Sequence, residues 1–365
     1  MKKDKNIIDA QTLDKQNKKI KTCIIIIVLL VIGIFVLTGL LAVDVYYHRR
    51  LIKYDFAVKM NEDKIENVHN ARYKLKIWSA YNDLEAYHPK VINFEEEWHG
   101  YKYWMVYTPY PKGDDKKENP HLMVSNDMVN WAPPKDFKNP LVPKPSDFIA
   151  KEIYNSDPHI LYNKDKDQLE VFYRYVNNKT SEVIIYRLTS NDGVNWSDKE
   201  AILTRNRKQI DFLSPAVIYE DGLYKMWFVD RDFKVRYMES EDCYNWKNLR
   251  DITLKYPSNE LKSWHLDVIK TEKGYEMVVV AFYSSKDRNT MNLYYFYSRD
   301  NEEYSTGVTI LRPSLTYWDN RGIYRSSLVY EDGKYYLFYS GISTNEERGV
   351  GLAYGDDIQN LIGMS

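Results

Sequence analysis

Five times between residues 72 and 365 the chain repeats one order of apolar and polar positions. An aromatic segment comes first: Tyr103–Tyr107, Leu169–Tyr173, Tyr224–Val229, Tyr275–Phe282 and Tyr335–Ser340. A second, alternating segment follows each: His121–Val124, Ile184–Leu188, Val235–Met238, Asn292–Tyr297 and Val350–Ala353. Short runs of period two, rich in aromatic and β-branched residues, predict strands. Each second segment runs into a polar turn. Ser125-Asn126-Asp127-Met128-Val129-Asn130-Trp131 returns as Ser190-Asn191-Asp192-Gly193-Val194-Asn195-Trp196 and as Ser240-Glu241-Asp242-Cys243-Tyr244-Asn245-Trp246. Ser298-Arg299-Asp300 through Tyr304 is a degraded copy, and Tyr354-Gly355-Asp356-Asp357 a trace of a fifth.

Upstream of each pair lies a third strand, ending at acidic-Gly turns such as Glu220-Asp221-Gly222 and Glu331-Asp332-Gly333. Such pairs between alternating runs signal hairpins. Each unit is therefore a three-stranded meander with a fourth strand after the Asn-Trp turn. A flat sandwich shows short strand spacing but no long period. The pattern predicts an all-β fold, a five-bladed β-propeller of four-stranded antiparallel blades over residues 72–365. Tyr73–Ser79 reads as a strand that completes the fifth blade and closes the ring.

The N-terminal pattern differs. Thr22–Val43 holds no charged residue and is dominated by Ile, Leu and Val. About 20 such residues cross a bilayer as a helix, whereas a cleaved signal peptide has an apolar region of only about 7–15. Residues 22–43 are read as a transmembrane helix, 1–21 as a cytoplasmic basic tail and 44–71 as a stalk. Seven Lys precede the span, against Arg49, Arg50, Lys53 and Lys59 after it. The bias predicts a single-pass protein of the cell membrane with its N-terminus cytoplasmic and its propeller extracellular.

Composition adds three points. With 51 basic and 52 acidic side chains, nothing marks a nucleic-acid binder. The two cysteines, Cys23 and Cys243, offer no disulfide within the globular part. Aromatic residues make up 15% of the chain, and their flat faces suit sugar rings as well as cores.

A Ser-(Asn/Glu)-Asp-x-x-Asn-Trp turn closing the third strand of several blades resembles the propellers of glycoside hydrolase family 43, related to families 32 and 68. The likeness covers about residues 72–365. It implies that the inner strand of each blade begins at the mouth of a central funnel, with catalytic carboxylates at the first three starts. Here the starts read Tyr87-His88-Pro89, Ser156-Asp157-Pro158-His159, Leu213-Ser214-Pro215, Leu266-Asp267-Val268 and Arg325-Ser326-Ser327. Asp157 keeps the family position. His88 stands where the resemblance implies a base Asp, and Ser214 where it implies an acid Glu.

Glycosidases need two carboxyl groups flanking the bond, so Asp157, Asp267 and Glu118 are the catalytic candidates. Asp267, between Leu266 and Val268, needs a partner or a function, because a buried unpaired carboxylate is costly. His88, His159, Arg174, Trp264, His265, Arg325, Tyr107 and Tyr110 are the substrate-binding candidates. Arg174 and Arg325 would orient carboxylates or clamp an acidic group. His88, His159 and His265 with Asp157 carry metal-ligand chemistry, but no tight spacing supports a site, so no metal or cofactor is expected. A central calcium occurs in family 43, yet nothing in this sequence demands one. These features predict a membrane-anchored glycosidase or transglycosidase acting on an envelope or extracellular polysaccharide. The alternatives are a non-catalytic glycan-binding propeller and an envelope-assembly scaffold.

Overall fold

The computed structural model describes residues 2–59, 70–146, 152–284, 288 and 290–365. The chain divides into two compact units, Met1–Phe56 and Ala57–Ser365. One helix, α1 (Lys2–Lys59), makes up the first unit. Its stretch Thr12–Tyr46 is long and apolar enough to cross a membrane. The expected span 22–43 lies inside it. In the expected stalk, α1 runs on through residues 44–59; residues 60–69 lie outside the described ones.

The second unit is a five-bladed propeller. Blade one contains β1 (Ala86–Trp98), β2 (Tyr101–Pro109) and β3 (His121–Ser125). Blade two contains β4 (Ile153–Asn163), β5 (Gln168–Asn177), β6 (Glu182–Ser190) and β7 (Glu200–Asn206). Blade three contains β8 (Leu213–Glu220), β9 (Leu223–Val229), β10 (Val235–Ser240) and β11 (Lys247–Ile252). Blade four contains β12 (Leu261–Thr271), β13 (Gly274–Tyr283), β14 (Asn292–Ser298) and β15 (Val308–Leu311). Blade five contains β16 (Gly322–Glu331), β17 (Lys334–Ile342), β18 (Arg348–Gly355) and β19 (Ile362–Gly363). The inner strands adjoin in the order β1, β4, β8, β12, β16, and β16 returns to β1. In blade one a single bridge, Val124 to Ala132, stands in for the fourth strand.

The repeated turn is a carboxylate cap. Asp127 Oδ1 accepts from the amides of Val129 and Asn130, its Oδ2 accepts from Asn130 Nδ2, and Trp131 Nε1 donates to Met128 O. Asp192 and Asp242 repeat the same bonds. The fifth trace is a working copy too, since Asp357 accepts from the Gln359 amide and from Asn360 Nδ2. No blade buries both faces alone, and each of the five seams holds its own apolar cluster. Ile160, Leu169 and Trp104, for example, fill the seam between blades one and two.

Ring closure departs from expectation. Tyr73–Ser79 forms no strand. The C-terminus supplies the fourth strand of its own blade, Ile362 and Gly363 pairing with Tyr354 and Ala353. The N-terminal segment crosses over that strand instead, with Arg72 N donating to Met364 O and Leu75 N to Val350 O. Gly363 permits the crossing, because a Cβ there would lie 2.1 Å from the Asn70 carbonyl carbon. Leu75 and Ile77 are then buried in the seam between blades five and one.

Each inner strand carries an irregularity near its start. The register slips between Tyr87 and Lys90, Ser156 and His159, Leu213 and Ala216, Ser263 and His265, and Ile323 and Ser326. Bulges re-aim side chains and cluster beside functional sites. Three hold a residue of positive φ before proline: His88 (53°), Asp157 (50°) and Ser214 (55°). Non-glycine residues adopt this region at a cost.

Candidate active site

The bulges open onto a cavity of about 490 Å³ lined in part by His88, Glu118, Asp157, Arg174, Trp264 and His265. At its floor, His88, Asp157 and His265 each offer a ligand atom, all within 4.8 Å of one another. Blades one, two and four contribute one each. Among the described residues this is the one such group that could hold a metal ion. All three are at most 2% exposed.

Their hydrogen bonding is incomplete. Asp157 Oδ1 and both ring nitrogens of His265 have no hydrogen-bond partner, although His265 Nδ1 lies 3.1 Å from Asp157 Oδ1. Buried polar atoms are nearly always paired, so the unpaired Asp157 Oδ1 beside one ring nitrogen from each histidine fits a divalent cation. His88 Nδ1 is fixed by Thr108 Oγ1 at 2.7 Å, which leaves Nε2 as its free nitrogen, in the manner of an oriented ligand imidazole. Burial pushes the His88 and His265 pKa values down, toward the neutral form that ligation requires. Burial also acts to raise Asp157, but the adjoining His265, His88 and Arg325 outweigh it and hold its carboxyl below the usual range. The donor set, two imidazoles and a carboxylate, suits zinc or a related divalent ion.

Around this floor stand the remaining groups. Glu118 follows a short 3-10 turn, Asp115–Lys117, and its Oε1 lies 3.5 Å from His88 Nδ1. Burial and the neighbouring Asp157 raise its pKa well above the usual value. Arg174 holds Asp211 through Nε and Nη2 and donates to Ser156 Oγ at 3.2 Å, which in turn donates to Asp157 Oδ2. Arg325 backs Asp157 at 3.8 Å. Trp264 Nε1 donates to Tyr324 Oη at 2.7 Å, and Tyr110 Oη to Asp115 Oδ1 at 2.8 Å.

Seven of the eleven expected residues thus line one cavity: Glu118, Asp157, His88, Arg174, Trp264, His265 and Tyr110. Arg325 stands behind Asp157. Three lie elsewhere. Asp267 is paired with Lys90 Nζ at 2.8 and 2.9 Å and accepts from the Leu328 amide, so its expected catalytic role gives way to a structural one. His159 is tied to the Val217 backbone and lines a separate cavity with Lys90, away from Asp157. Tyr107 donates to Trp78 O and belongs to the core. Ser214 exchanges bonds with the Leu266 backbone, so no acid stands at the third start. Along the chain no tight spacing joins the four residues of metal-ligand type; the fold brings His88, Asp157 and His265 together and leaves His159 out. Tyr154, Arg207, Tyr324 and Arg348 also line the cavity and were not anticipated.

No family model matches the chain. Its fold is that of the five-bladed propellers of the glycoside hydrolase family 43 clan. A family-43 glycoside hydrolase superposes with a TM-score of 0.54 at 12% identity, over 80% of this chain and 96% of that one. The α-L-arabinanase of Cellvibrio cellulosa, complexed with arabinohexaose, gives 0.53 at 13%, over 74% and 92%. A nearer likeness is the N-acetylgalactosamine deacetylase of Flavonifractor plautii in complex with blood group B trisaccharide, with a TM-score of 0.71 at 22% identity, covering 81% of this chain and 97% of that one. In sequence, the A type blood N-acetyl-alpha-D-galactosamine deacetylase of the same organism is 27% identical over 306 residues, 70% of this chain. The match spans 39% of that relative's length. The proteins this chain resembles are carbohydrate-active enzymes.

Proposed function

We propose that this protein is a metal-assisted deacetylase that removes the N-acetyl group from an amino sugar of a glycan. One observation carries the reading: the unpartnered atoms of Asp157 and His265 converging with His88 on one buried point. The deacetylase relative supports it. A divalent cation held there would supply Lewis acidity to a carbonyl or water oxygen.

The chain's own residues divide the rest. Asp157, held by Ser156 and faced by two guanidinium groups, keeps its negative charge on the floor. Glu118, within reach of the same floor, takes a proton from the attacking water and passes it to the departing amine as the amide C–N bond breaks. Water supplies the oxygen that leaves in acetate, and the amine remains on the sugar. Trp264 and Tyr110 present aromatic surface to the sugar ring. The apolar helix anchors the enzyme in the membrane, with the N-terminus inside and the propeller facing an envelope or extracellular glycan. The test is acetate release from N-acetylated glycans by the full-length protein, with and without chelator. Chelator-insensitive release, or none from any such glycan, sinks the reading.

A glycosidase or transglycosidase is the second reading, favoured by Asp157 and Glu118 sharing one cavity. It requires new reducing ends or transferred glycosyl groups. Glycan binding without either product would leave a non-catalytic propeller.

A further inference from the structure

Three arginines line the cavity, and their charges are met unequally. Arg174 is saturated by both oxygens of Asp211. Arg207 shares that carboxylate through Nε at 2.7 Å. Arg348, at the start of β18, is different. Its side chain is 8% exposed, and the one carboxylate within 4.0 Å is Glu346, which is 48% exposed and already held by Arg321. Arg348 Nη1 donates to Glu346 O, but the buried Nε has no partner. The guanidinium lies between Tyr110 and Tyr87, 5.0 and 5.7 Å from their ring centres. The buried Tyr87 hydroxyl lies close enough to share a hydrogen bond with Arg348, and no other partner meets it among the described residues. Gly113 closes the corner; a Cβ there would come within 3.3 Å of Arg348 Nη2.

Burying a guanidinium with unmet donors is costly. Contacts with tyrosine faces, each about 0.5–2 kcal/mol, return only part of that cost. A buried guanidinium with its Nε left over, and its charge met by one exposed and shared carboxylate, calls for an acceptor that carries negative charge.

We infer that Arg348, with Tyr110 and Tyr87, forms an anion subsite, so that the glycan taken by this cavity bears a carboxylate, phosphate or sulfate beside the reacting sugar. The inference rests on the reading of the cavity as a glycan site. It asks nothing of the reaction itself.

The test is ligand-observed NMR on the full-length protein in detergent. The probes are N-acetylmuramate, N-acetylglucosamine 6-phosphate, N-acetylglucosamine 6-sulfate and neutral N-acetylglucosamine. At least one acidic sugar should bind about tenfold tighter than the neutral one, and which one does so distinguishes the three anions. Arg348→Gln should bring the acidic-to-neutral ratio close to one. Arg348→Lys keeps the charge but loses the planar fork, and should lower the ratio several-fold. A ratio near one in the wild type, or unchanged in whichever variant folds, overturns the subsite. Acetate release is read separately. An acidic preference without release sinks the deacetylase and keeps the subsite; release without preference does the reverse.

Discussion

Two carboxylates, Asp157 on β4 and Asp267 on β12, are equally buried at 1% exposure, yet they live in opposite circumstances. Asp267 is saturated, with Lys90 on both oxygens and a backbone amide on one. Asp157 has one oxygen bonded to Ser156 and the other facing unpartnered imidazole nitrogens. Its arginines stand at 3.8 and 3.9 Å without hydrogen bonds to it. A saturated buried pair holds blades together; an unsaturated carboxylate keeps bonding capacity that no neighbour uses. Burial alone cannot separate the two roles, and the partner can.

The sharpest way to break this contrast is to neutralise each acid. Asp157→Asn should cut cation-dependent acetate release on the order of a thousandfold, as loss of a transition-state charge stabiliser does. Its unfolding temperature should move little, because Arg174 keeps Asp211. Asp267→Asn strands a buried ammonium, at a cost of about 3–5 kcal/mol. That lowers the unfolding midpoint by roughly 5–8 °C for a domain of this size. Measuring both quantities on both variants decides it; a stable, inactive Asp267→Asn would reverse the assignment.

A second test concerns the cation alone. His265→Gln removes one of the three donors and should weaken divalent-ion binding by about 10–100-fold or more, measured by titration calorimetry. Replacing His159, equally buried but tied to Val217, should leave that affinity unchanged. Should both variants lose the ion alike, the three-residue floor is wrong.

The Lys90–Asp267 pair gives a third. Lys90→Met with Asp267→Leu removes both charges together, and buried pairs exchanged for apolar residues are often neutral in stability. Its midpoint should recover most of what Asp267→Asn loses. Thermal unfolding of the three proteins closes the cycle; a double variant as unstable as the single one would mean that Asp267 acts chiefly through the Leu328 amide.

Much of this was legible along the chain. The five-fold period and the Asp-x-x-Asn-Trp turns specify blades, because every copy repeats one carboxylate cap. Proline marks the first three inner-strand starts, since His88, Asp157 and Ser214 each precede one and sit on a bulge. Blades four and five lack that proline, so the fourth start reads as Asp267, whereas the register slips at Trp264, three residues earlier. Arg348 was missed although it begins a third strand at the same mouth as Glu118's loop. Its blade carries the faintest turn motif, so its strand start is hard to place. The trio His88, Asp157 and His265 shows ligand-type residues without ligand spacing along the chain: they come from three blades, 69 and 108 residues apart (88 to 157, and 157 to 265), and only ring closure makes them neighbours.

The smallest expected effect lies in the turns themselves, where a carboxylate is satisfied as fully as Asp267 but in contact with water. Asp127 accepts from the Asn130 and Val129 amides and from Asn130 Nδ2, and the Asn130 amide foremost holds its pKa down to about 2. A folded-state pKa below the unfolded value means that the cap stabilises fully above about pH 4 and fades as pH falls toward 2. Asp127→Ala should therefore cost about 1 kcal/mol near neutrality, the usual loss for a deleted capping side chain. The gap to wild type should narrow in acid, as followed by urea unfolding at about pH 6 and about pH 3. A gap that stays constant would show that the side chain acts by packing, and that solvent had already screened the charge.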